Sequence, residues 1–210
     1  MMTVARFPMR NILLAVLAAI LGGTAAMAES EQAKYTVLAQ DQDFELRSYA
    51  PMIVAEVSVG GTRDEAVNAG FRILAGYIFG GNEPRAKIAM TAPVTQQKGE
   101  AIAMTVPVTQ QARGGDWLVR FTMPASFTMA TLPKPTDARI RLVAVPGRKV
   151  AGLRFSGFRT DEALAAQADR LAAILSARGL KPAGPPTYAY YDPPWTLPFL
   201  RRNEVLRDVR

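Results

Sequence analysis

A pattern of strand, glycine and capped helix occurs twice in this chain and limits the folds it can adopt. Residues 52–59 alternate apolar side chains on one face, which predicts a half-buried strand that ends at Gly60-Gly61. Thr62, with Glu65 three residues later, forms the sequence pattern of a capping box, so a helix should begin there. The apolar residues that follow are spaced for one helix face: Val67, Phe71, Leu74 and Ile78.

The second occurrence lies near the C-terminus. Residues 150–155 predict a strand that ends at Gly157, and Thr160 opens a helix with Gly179 as its C-terminal cap. The apolar face of this helix is Leu164, Ala168, Leu171 and Leu175. The repetition indicates an internal duplication, and two such units bury both helices by packing them on a shared sheet. We therefore expect an α+β domain.

Further strands are predicted at 34–39, 43–48, 117–122 and 140–144. The Pro-containing stretch 125–138 predicts a loop. The Pro-rich tail that begins at Lys181-Pro182 carries aromatic residues, which favours a tail packed on the domain over a linker. Those aromatic residues are Tyr188, Tyr190, Tyr191, Trp195 and Phe199.

A second, closer repeat occupies the middle of the chain. Residues 87–97 recur with two changes as residues 101–111. Two equal strands separated by Lys98-Gly99-Glu100 predict an antiparallel hairpin, in which Met90 faces Val108 and Val94 faces Met104. Pro93 and Pro107 cannot donate ladder hydrogen bonds, so both strands should be edge-like or bulged, as suits a pocket wall.

The absence of cysteine and histidine excludes several kinds of chemistry. Disulfides, Fe–S clusters, cysteine nucleophiles, Ser-His-Asp triads, histidine-bound zinc and histidine-ligated haem are all ruled out. The net charge of +7 is spread along the chain, which favours a soluble basic surface over nucleic-acid binding. Any function must therefore be carried by Tyr, Lys, Arg, Asp, Glu, Ser, Thr or Met side chains, or by a shaped apolar pocket.

The first 28 residues have the three parts of a secretory signal peptide. Arg6 and Arg10 precede an apolar run over 12–21, and Ala26-Met27-Ala28 is a small-x-small cleavage site. That run is shorter than the ~20 residues that span a bilayer, so we expect no stable membrane span. We expect cleavage near Ala28, a single domain over 29–210, and a periplasmic or secreted location.

Several stretches together resemble the SOUL, or haem-binding protein, family. The most specific are Met90-Thr91-Ala92-Pro93-Val94 and Arg201-Arg202-Asn203-Glu204-Val205. Others, in matching order, lie at 44–49, 60–74, 77–82, 117–124, 155–157 and 198–200. The resemblance covers about residues 34–206. It implies a twisted antiparallel sheet that forms a distorted barrel from two pseudo-repeats, flanked by two helices.

The resemblance also implies non-covalent binding of haem or a related tetrapyrrole in an apolar groove, as a carrier or buffer. With no histidine available, the macrocycle would be held by apolar contacts and its carboxylates by basic residues. By position, the apolar candidates are Ile88, Met90, Val94, Met104, Phe71 and Leu74, and the basic candidates are Arg63, Arg72, Arg85 and Lys87. No residue is selected as a metal ligand, since nothing in the spacing favours Met90, Tyr77 or Tyr49.

Each candidate also has a purely structural interpretation. Methionine commonly fills irregular gaps in cores, and Phe71 and Leu74 lie on the inner stripe of their helix, where burial is expected. Glu204 is expected to pair with an arginine and dock the tail. Two other functions remain open: a binding module for another amphipathic molecule, and a hydrolase that uses Glu56. For Glu56 we expect a solvent-facing position instead. We therefore expect a monomeric small-molecule binder that is not an enzyme.

Overall fold

The computed structural model describes residues 31–83 and 99–210, which form two α-helices around an antiparallel sheet. The helices are α1 (Arg63–Ile78) and α2 (Asp161–Ala177). The strands of the first half are β1 (Glu31–Gln32), β2 (Tyr35–Asp41), β3 (Phe44–Tyr49), β4 (Met52–Val59), β5 (Asn82–Glu83), β6 (Thr105–Val106), β7 (Val108–Arg113) and β8 (Asp116–Thr122). Those of the second half are β9 (Lys134–Pro135), β10 (Arg141–Val145), β11 (Arg148–Phe155), β12 (Pro182–Tyr190) and β13 (Asn203–Val209), with a 3-10 turn at Pro198–Leu200. The predicted signal segment lies outside the described residues.

Within this part of the chain, nine strands form one sheet in the order β10-β4-β8-β7-β12-β13-β11-β3-β2. The expected α+β class, with a large antiparallel sheet and two helices, is confirmed. The described strands β10 and β2 form the two edges, so the sheet is twisted without closing into a barrel. Two short ribbons lie beside it, a parallel β1–β6 pair and an antiparallel β5–β9 pair.

The predicted duplication is visible in the topology. The first unit runs β4–α1–β7–β8 and lies in the sheet as β4-β8-β7, and the second runs β11–α2–β12–β13 and lies as β11-β13-β12. The two units meet between β7 and β12. The strand that leads into each unit pairs with the other unit: β3 precedes β4 but pairs with β11, and β10 precedes β11 but pairs with β4. The units therefore exchange their leading strands.

Both helices begin where their sequence signals predict. The Thr62 hydroxyl accepts from the Glu65 backbone N–H, and the Glu65 carboxylate accepts from the Thr62 backbone N–H, which completes the capping box. Thr160 caps α2 in the same way through the Ala163 backbone N–H. Gly179 follows α2 with a φ of 67°, a left-handed conformation that glycine adopts without steric cost.

Each helix covers one half of the same sheet with its own apolar core. Helix α1 packs on β4 and β8, while α2 packs on β11, β12 and β13. The α1 core is Ala55, Val57, Leu74, Tyr77, Ile78, Ile102, Val119, Phe121, Met123, Leu132 and Ile140. The α2 core is Phe44, Ala151, Leu153, Leu171, Leu175, Val205 and Val209. The alternation predicted for β4 is confirmed, since Ala55 and Val57 face α1.

The hairpin predicted from the close repeat is wrong in its pairing. Val108 is the first residue of an interior strand and pairs with Phe121 on one side and Tyr190 on the other. Its ladder positions are therefore filled, and it cannot pair with Met90. Residues 102–104 are not in a strand, and β6 pairs with β1. The first copy of the repeat lies outside the described residues.

The sheet face turned away from the helices buries two glutamates between arginines. Glu56 is 2% exposed, so the expectation that it faces solvent is wrong. Its oxygens accept from Arg120 Nε at 2.8 Å and from Arg141 Nη2 at 2.6 Å, on the strands either side of β4. Since both oxygens are ion-paired, Glu56 is a structural carboxylate and not a free general acid or base.

The second buried cluster is centred on Glu204. The expected pairing of this residue with an arginine is confirmed. Arg47 donates to it through Nη1 at 2.6 Å and Nη2 at 2.9 Å, Arg202 through Nη2 at 2.8 Å, and the Tyr191 hydroxyl at 2.8 Å. Burial alone raises the pKa of Glu204, but the hydrogen bonds from Arg47 and Arg202 outweigh burial and bring it below its usual value. The carboxylate is thus held ionised and ties β13 to β3. Gly152 leaves room for this guanidinium, because a Cβ at that position would lie 3.3 Å from Arg47 Cζ.

Close packing of α1 on the sheet depends on Gly70. An added Cβ at this position would lie 2.6 Å from Val119 Cγ2, inside the core. We expect Gly70→Ala to lower the free energy of unfolding by about 1–3 kcal/mol, because overpacking outweighs alanine's helix propensity. The matched control is Gly76→Ala on the same helix, where an added Cβ meets nothing within 4 Å. We expect it to be neutral or stabilising by up to about 1 kcal/mol. Urea unfolding of the two variants measures both, and equal stability would contradict the packing argument.

Candidate functional site

A cavity of about 570 Å³ opens at one end of the sheet, where β4 begins and β8 and β10 end. Its walls come from four separate stretches of chain, 31–34, 50–53, 122–129 and 144–146, with Thr105 between them. The apolar lining residues are Ala33, Ala50, Pro51, Met52, Ile53, Met123, Pro124, Ala125, Phe127, Met129, Ala144, Val145 and Pro146. Ligand cavities in proteins commonly measure roughly 300–1,000 Å³, so the volume suits a small organic molecule.

Backbone hydrogen bonds hold these walls together. The Met123 N–H donates to the Ile53 carbonyl at 2.8 Å, which fixes the end of β8 against the start of β4. The chain then turns, and the Phe127 N–H donates to the Pro124 carbonyl at 3.1 Å. On the opposite side, the Ala125 N–H donates to Glu31 Oε1 at 3.0 Å, which ties the first described residues to this loop. The cavity is therefore preformed.

The lining favours an apolar ligand. Met52, Met123 and Met129 contribute thioethers, which are flexible and polarisable and adapt to flat or irregular ligands. Two charged residues are exposed at the cavity margin, Lys34 and Glu31, and the Glu31 carboxylate accepts from the Ala125 backbone N–H. The Lys34 ammonium group can meet a carboxylate of a ligand there. Among the described residues no cluster of three or more His, Cys, Asp or Glu is arranged to hold a metal ion. The metal-binding groups in this lining are the methionine thioethers and the Glu31 carboxylate.

The predicted site residues lie elsewhere. Of the ten, Arg63, Phe71, Leu74, Arg72 and Met104 are described, and none of them lines this cavity. The other five, Arg85, Lys87, Ile88, Met90 and Val94, lie outside the described residues.

Arg63 is a buried link between the two helices. Its Nε donates to Asp161 Oδ1 at 2.5 Å, its Nη1 to the Tyr190 hydroxyl at 3.2 Å, and its Nη2 to the Arg159 carbonyl at 2.5 Å. Burial raises the pKa of Tyr190 to about 12, although the nearby Arg63 lowers it in part. These contacts join the N-terminal ends of α1 and α2 and leave little of the guanidinium for a ligand.

The remaining described candidates lie on or beside α1. Leu74 is fully buried in the α1 core, as the structural interpretation expected. Phe71 is 38% exposed and meets Phe121 edge to face, with ring centroids 5.4 Å apart, so the expectation of burial is wrong for it. Met104 packs against the same core and is half-buried.

Arg72 lies beside a smaller, shallower groove of about 380 Å³ between α1 and residues 136–139. Arg139 and Asp137 form the other wall. Arg139 hydrogen-bonds to Asp137 and lowers its pKa to about 2. The carboxylate thus neutralises one of the two cations of this groove, which makes it a weaker candidate for an anionic ligand than its arginines suggest.

Sequence reasoning missed the residues of the larger cavity. Met123-Pro124 belonged to a stretch that carries the family resemblance, but neither residue was assigned a binding role. Met52 was interpreted only as the start of a strand. The available signal was the position of two methionines. Met52 begins β4, Met123 directly follows β8, and these two strands are neighbours in the sheet.

Comparison with known proteins gives one family and a shared fold. The family model described as SOUL heme-binding protein matches residues 30–208. Among solved structures, the EcmrR C-terminal domain superposes with a TM-score of 0.56 at 12% identity, over 84% of this chain and 98% of that one. A hydrolase from Listeria innocua superposes with a TM-score of 0.51 at 15% identity, over 82% and 94%. At such identities the likeness shows the fold alone. No curated protein sequence matches.

Proposed function

The chain belongs to the SOUL haem-binding family, and from that premise we propose that it binds haem or a related tetrapyrrole in the cavity at the end of the sheet. The observation that carries this proposal is the cavity's combination of ligand-sized volume, apolar walls and three methionines. The family is one of binding proteins, and a role as carrier or buffer fits a site whose lining includes no histidine or cysteine. The exported location expected from residues 1–28 belongs to the same proposal.

The residues at the cavity suit the macrocycle better than they suit its metal. Apolar burial stabilises a flat aromatic ring by about 25 cal/mol per Å² of apolar surface removed from water. The Lys34 ammonium at the margin would meet a propionate. A methionine thioether would be a weak donor to the iron, which when bound would supply redox and ligand-exchange chemistry. We therefore expect affinity to depend little on the metal.

A titration with two probes tests this directly. Hemin and iron-free protoporphyrin IX would each be added to the purified protein, with the Soret band and tryptophan quenching as readouts. We expect saturable one-to-one binding of both probes, with dissociation constants within about fivefold of each other, because the macrocycle and not the iron supplies most of the contacts. A fivefold ratio of dissociation constants corresponds to about 1 kcal/mol. Binding of hemin alone would show that a metal ligand dominates. Adsorption of both without saturation would overturn the proposal in favour of another amphipathic ligand.

A cavity-filling substitution tests the location. Ala125 is exposed at the cavity margin, so Ala125→Trp should fold normally while its indole occupies the space of the ligand. We expect it to weaken tetrapyrrole binding by at least about tenfold, or about 1.4 kcal/mol. The matched control is Ala173→Trp on the exposed face of α2, which should bind as the parent does. Equal affinity of the two variants would exclude this cavity as the site.

A further inference from the structure

A short loop between β12 and β13 exposes an unusual concentration of large apolar side chains. Trp195 is 82% exposed and Phe199 is 69% exposed. The expectation that the aromatic tail packs on the domain is wrong for these two, although Tyr190 and Tyr191 do pack. The neighbouring exposed apolar residues are Leu197 and Leu200 in the same loop and Phe158 just before α2. We call these five residues the apolar tip.

The backbone beneath the apolar tip is fixed by its own hydrogen bonds. The Gly157 N–H donates to the Pro198 carbonyl at 2.8 Å, which brings Phe158 to the loop. The Leu200 N–H donates to the Leu197 carbonyl, and the Thr196 N–H to the Pro193 carbonyl. Such internal pairing is what a segment needs before it enters a medium that cannot hydrogen-bond to it.

Two arginines at the base of the apolar tip donate hydrogen bonds to neutral acceptors. Arg201 donates through Nε to the Thr196 carbonyl and through Nη2 to the Pro194 carbonyl, both at 2.6 Å. Arg159 donates to Asn203 Oδ1 at 2.8 Å and to the Asp192 carbonyl at 3.1 Å. All four acceptors are neutral oxygens, and within the described residues neither guanidinium forms an ion pair.

The two positive charges also act on each other. Burial lowers the pKa of Arg159, and the positive field of Arg201 lowers it further. A second copy of this loop would bring four like charges together, which disfavours self-association. Asp192 of the same loop offsets part of the charge on Arg159, and an anionic surface would compensate the positive charge that remains.

We propose that the apolar tip inserts into the interface of an anionic lipid bilayer while Arg159 and Arg201 meet its negative headgroups. Membrane segments that lie in the bilayer interface share this composition, in which tryptophan, phenylalanine and leucine side chains lie next to basic residues. The five side chains are all more than half exposed, and a bilayer can accept exposed apolar side chains without a complementary groove. No described helix is long and apolar enough to cross a membrane.

Vesicle binding of the protein expressed from its whole sequence tests the proposal. Vesicles of phosphatidylcholine with about 30% phosphatidylglycerol would be compared with pure phosphatidylcholine at low and high salt. We expect stronger binding to the anionic vesicles, weakened by salt because exposed charges are screened. A Trp195→Ser, Phe199→Ser double variant should bind at least about tenfold more weakly, since it loses two of the three aromatic side chains of the apolar tip. The matched control, Phe79→Ser, removes an equally exposed phenylalanine (68%) from the far end of α1 and should bind within about twofold of the parent.

A local readout separates the apolar tip from any contribution of the N-terminal segment. The chain has two tryptophans, so a Trp117→Phe background leaves Trp195 as the reporter. We expect its emission to shift to the blue on anionic vesicles and to be quenched by brominated lipids. Unshifted emission, or equal binding by the double variant and Phe79→Ser, would overturn the proposal. A concentration-dependent dimer that the double variant abolishes would also overturn it, in favour of a second copy as the occupant.

Discussion

Replacing Glu204 by glutamine is expected to lower the free energy of unfolding at neutral pH by about 3–5 kcal/mol. The carboxylate is fully buried and accepts hydrogen bonds from Arg47, Arg202 and the Tyr191 hydroxyl. Its removal leaves the buried Arg47 without its principal counter-charge, and breaking a buried pair from one side costs about this much. Urea unfolding followed by circular dichroism gives the value.

Glu45 provides the matched control, because it pairs with the same arginine from the more exposed side. Its Oε2 accepts from Arg47 Nε at 2.7 Å. We expect Glu45→Gln to cost no more than about 1 kcal/mol, as solvent-screened pairs do. A loss of similar size in both variants would mean that burial of Glu204 is not the source of its contribution.

The same pair predicts how stability responds to acid. The folded-state pKa of Glu204 is below the unfolded value, so the unfolded chain binds more protons in the acid range. The stabilisation is complete above the unfolded pKa and is lost as pH falls through the folded one. We therefore expect the parent to lose more stability than Glu204→Gln between pH 6 and pH 3. Parallel pH profiles of the two proteins would contradict this linkage.

Truncating Leu74 to alanine is expected to destabilise the fold by about 2–5 kcal/mol. Leu74 is fully buried between α1 and the sheet, and removal of its side chain leaves a cavity in the α1 core. The prediction separates a core role from ligand contact, because Leu74 was also a candidate for the tetrapyrrole site. At a temperature where Leu74→Ala stays folded, we expect its tetrapyrrole affinity to match that of the parent.

An exposed leucine provides the comparison. Leu197 is 55% exposed, and Leu197→Ala should change the free energy of unfolding by less than about 0.5 kcal/mol. Thermal and urea unfolding of both variants measure the difference. If Leu74→Ala kept the parental stability but lost tetrapyrrole binding, the core role would be wrong and α1 would be part of the ligand site.

Local signals in the sequence predicted the individual elements well. The alternation over 52–59 matches β4, and Thr62 and Thr160 begin the two helices because caps act within one turn of chain. The exchange of β3 and β10 between the units was not predicted, because pairing partners so distant in sequence leave no local signature. Burial of Glu56 was missed for the same reason, since Arg120 and Arg141 reach it from neighbouring strands.

The close repeat shows why similar sequences need not pair. Its two copies have the same alternation, which favoured a hairpin between them, yet residues 108–113 turn back through Gly114-Gly115 onto β8. Both glycines have positive φ. A Gly-Gly pair between two strands is a strong hairpin signal, but the prediction was based on the repeat instead. The cavity escaped prediction because its walls come from four distant stretches, whereas candidates were sought near the repeat.

The strand exchange also sets the order in which the chain can fold. Strand β11 lies between β3, about 100 residues before it, and β13, about 50 residues after it, and the Arg47–Glu204 pair closes a separation of 157 residues. Contacts so distant in sequence must overcome a large loop-closure entropy before they contribute, and chains rich in them fold slowly. Neither half can complete its part of the sheet alone, because β4 needs β10 and β11 needs β3. An intermediate in which one half alone has formed therefore keeps an open strand edge. The lifetime of that open-edged intermediate, and not the stability of the finished sheet, would then set the protein's exposure to misfolding and proteolysis.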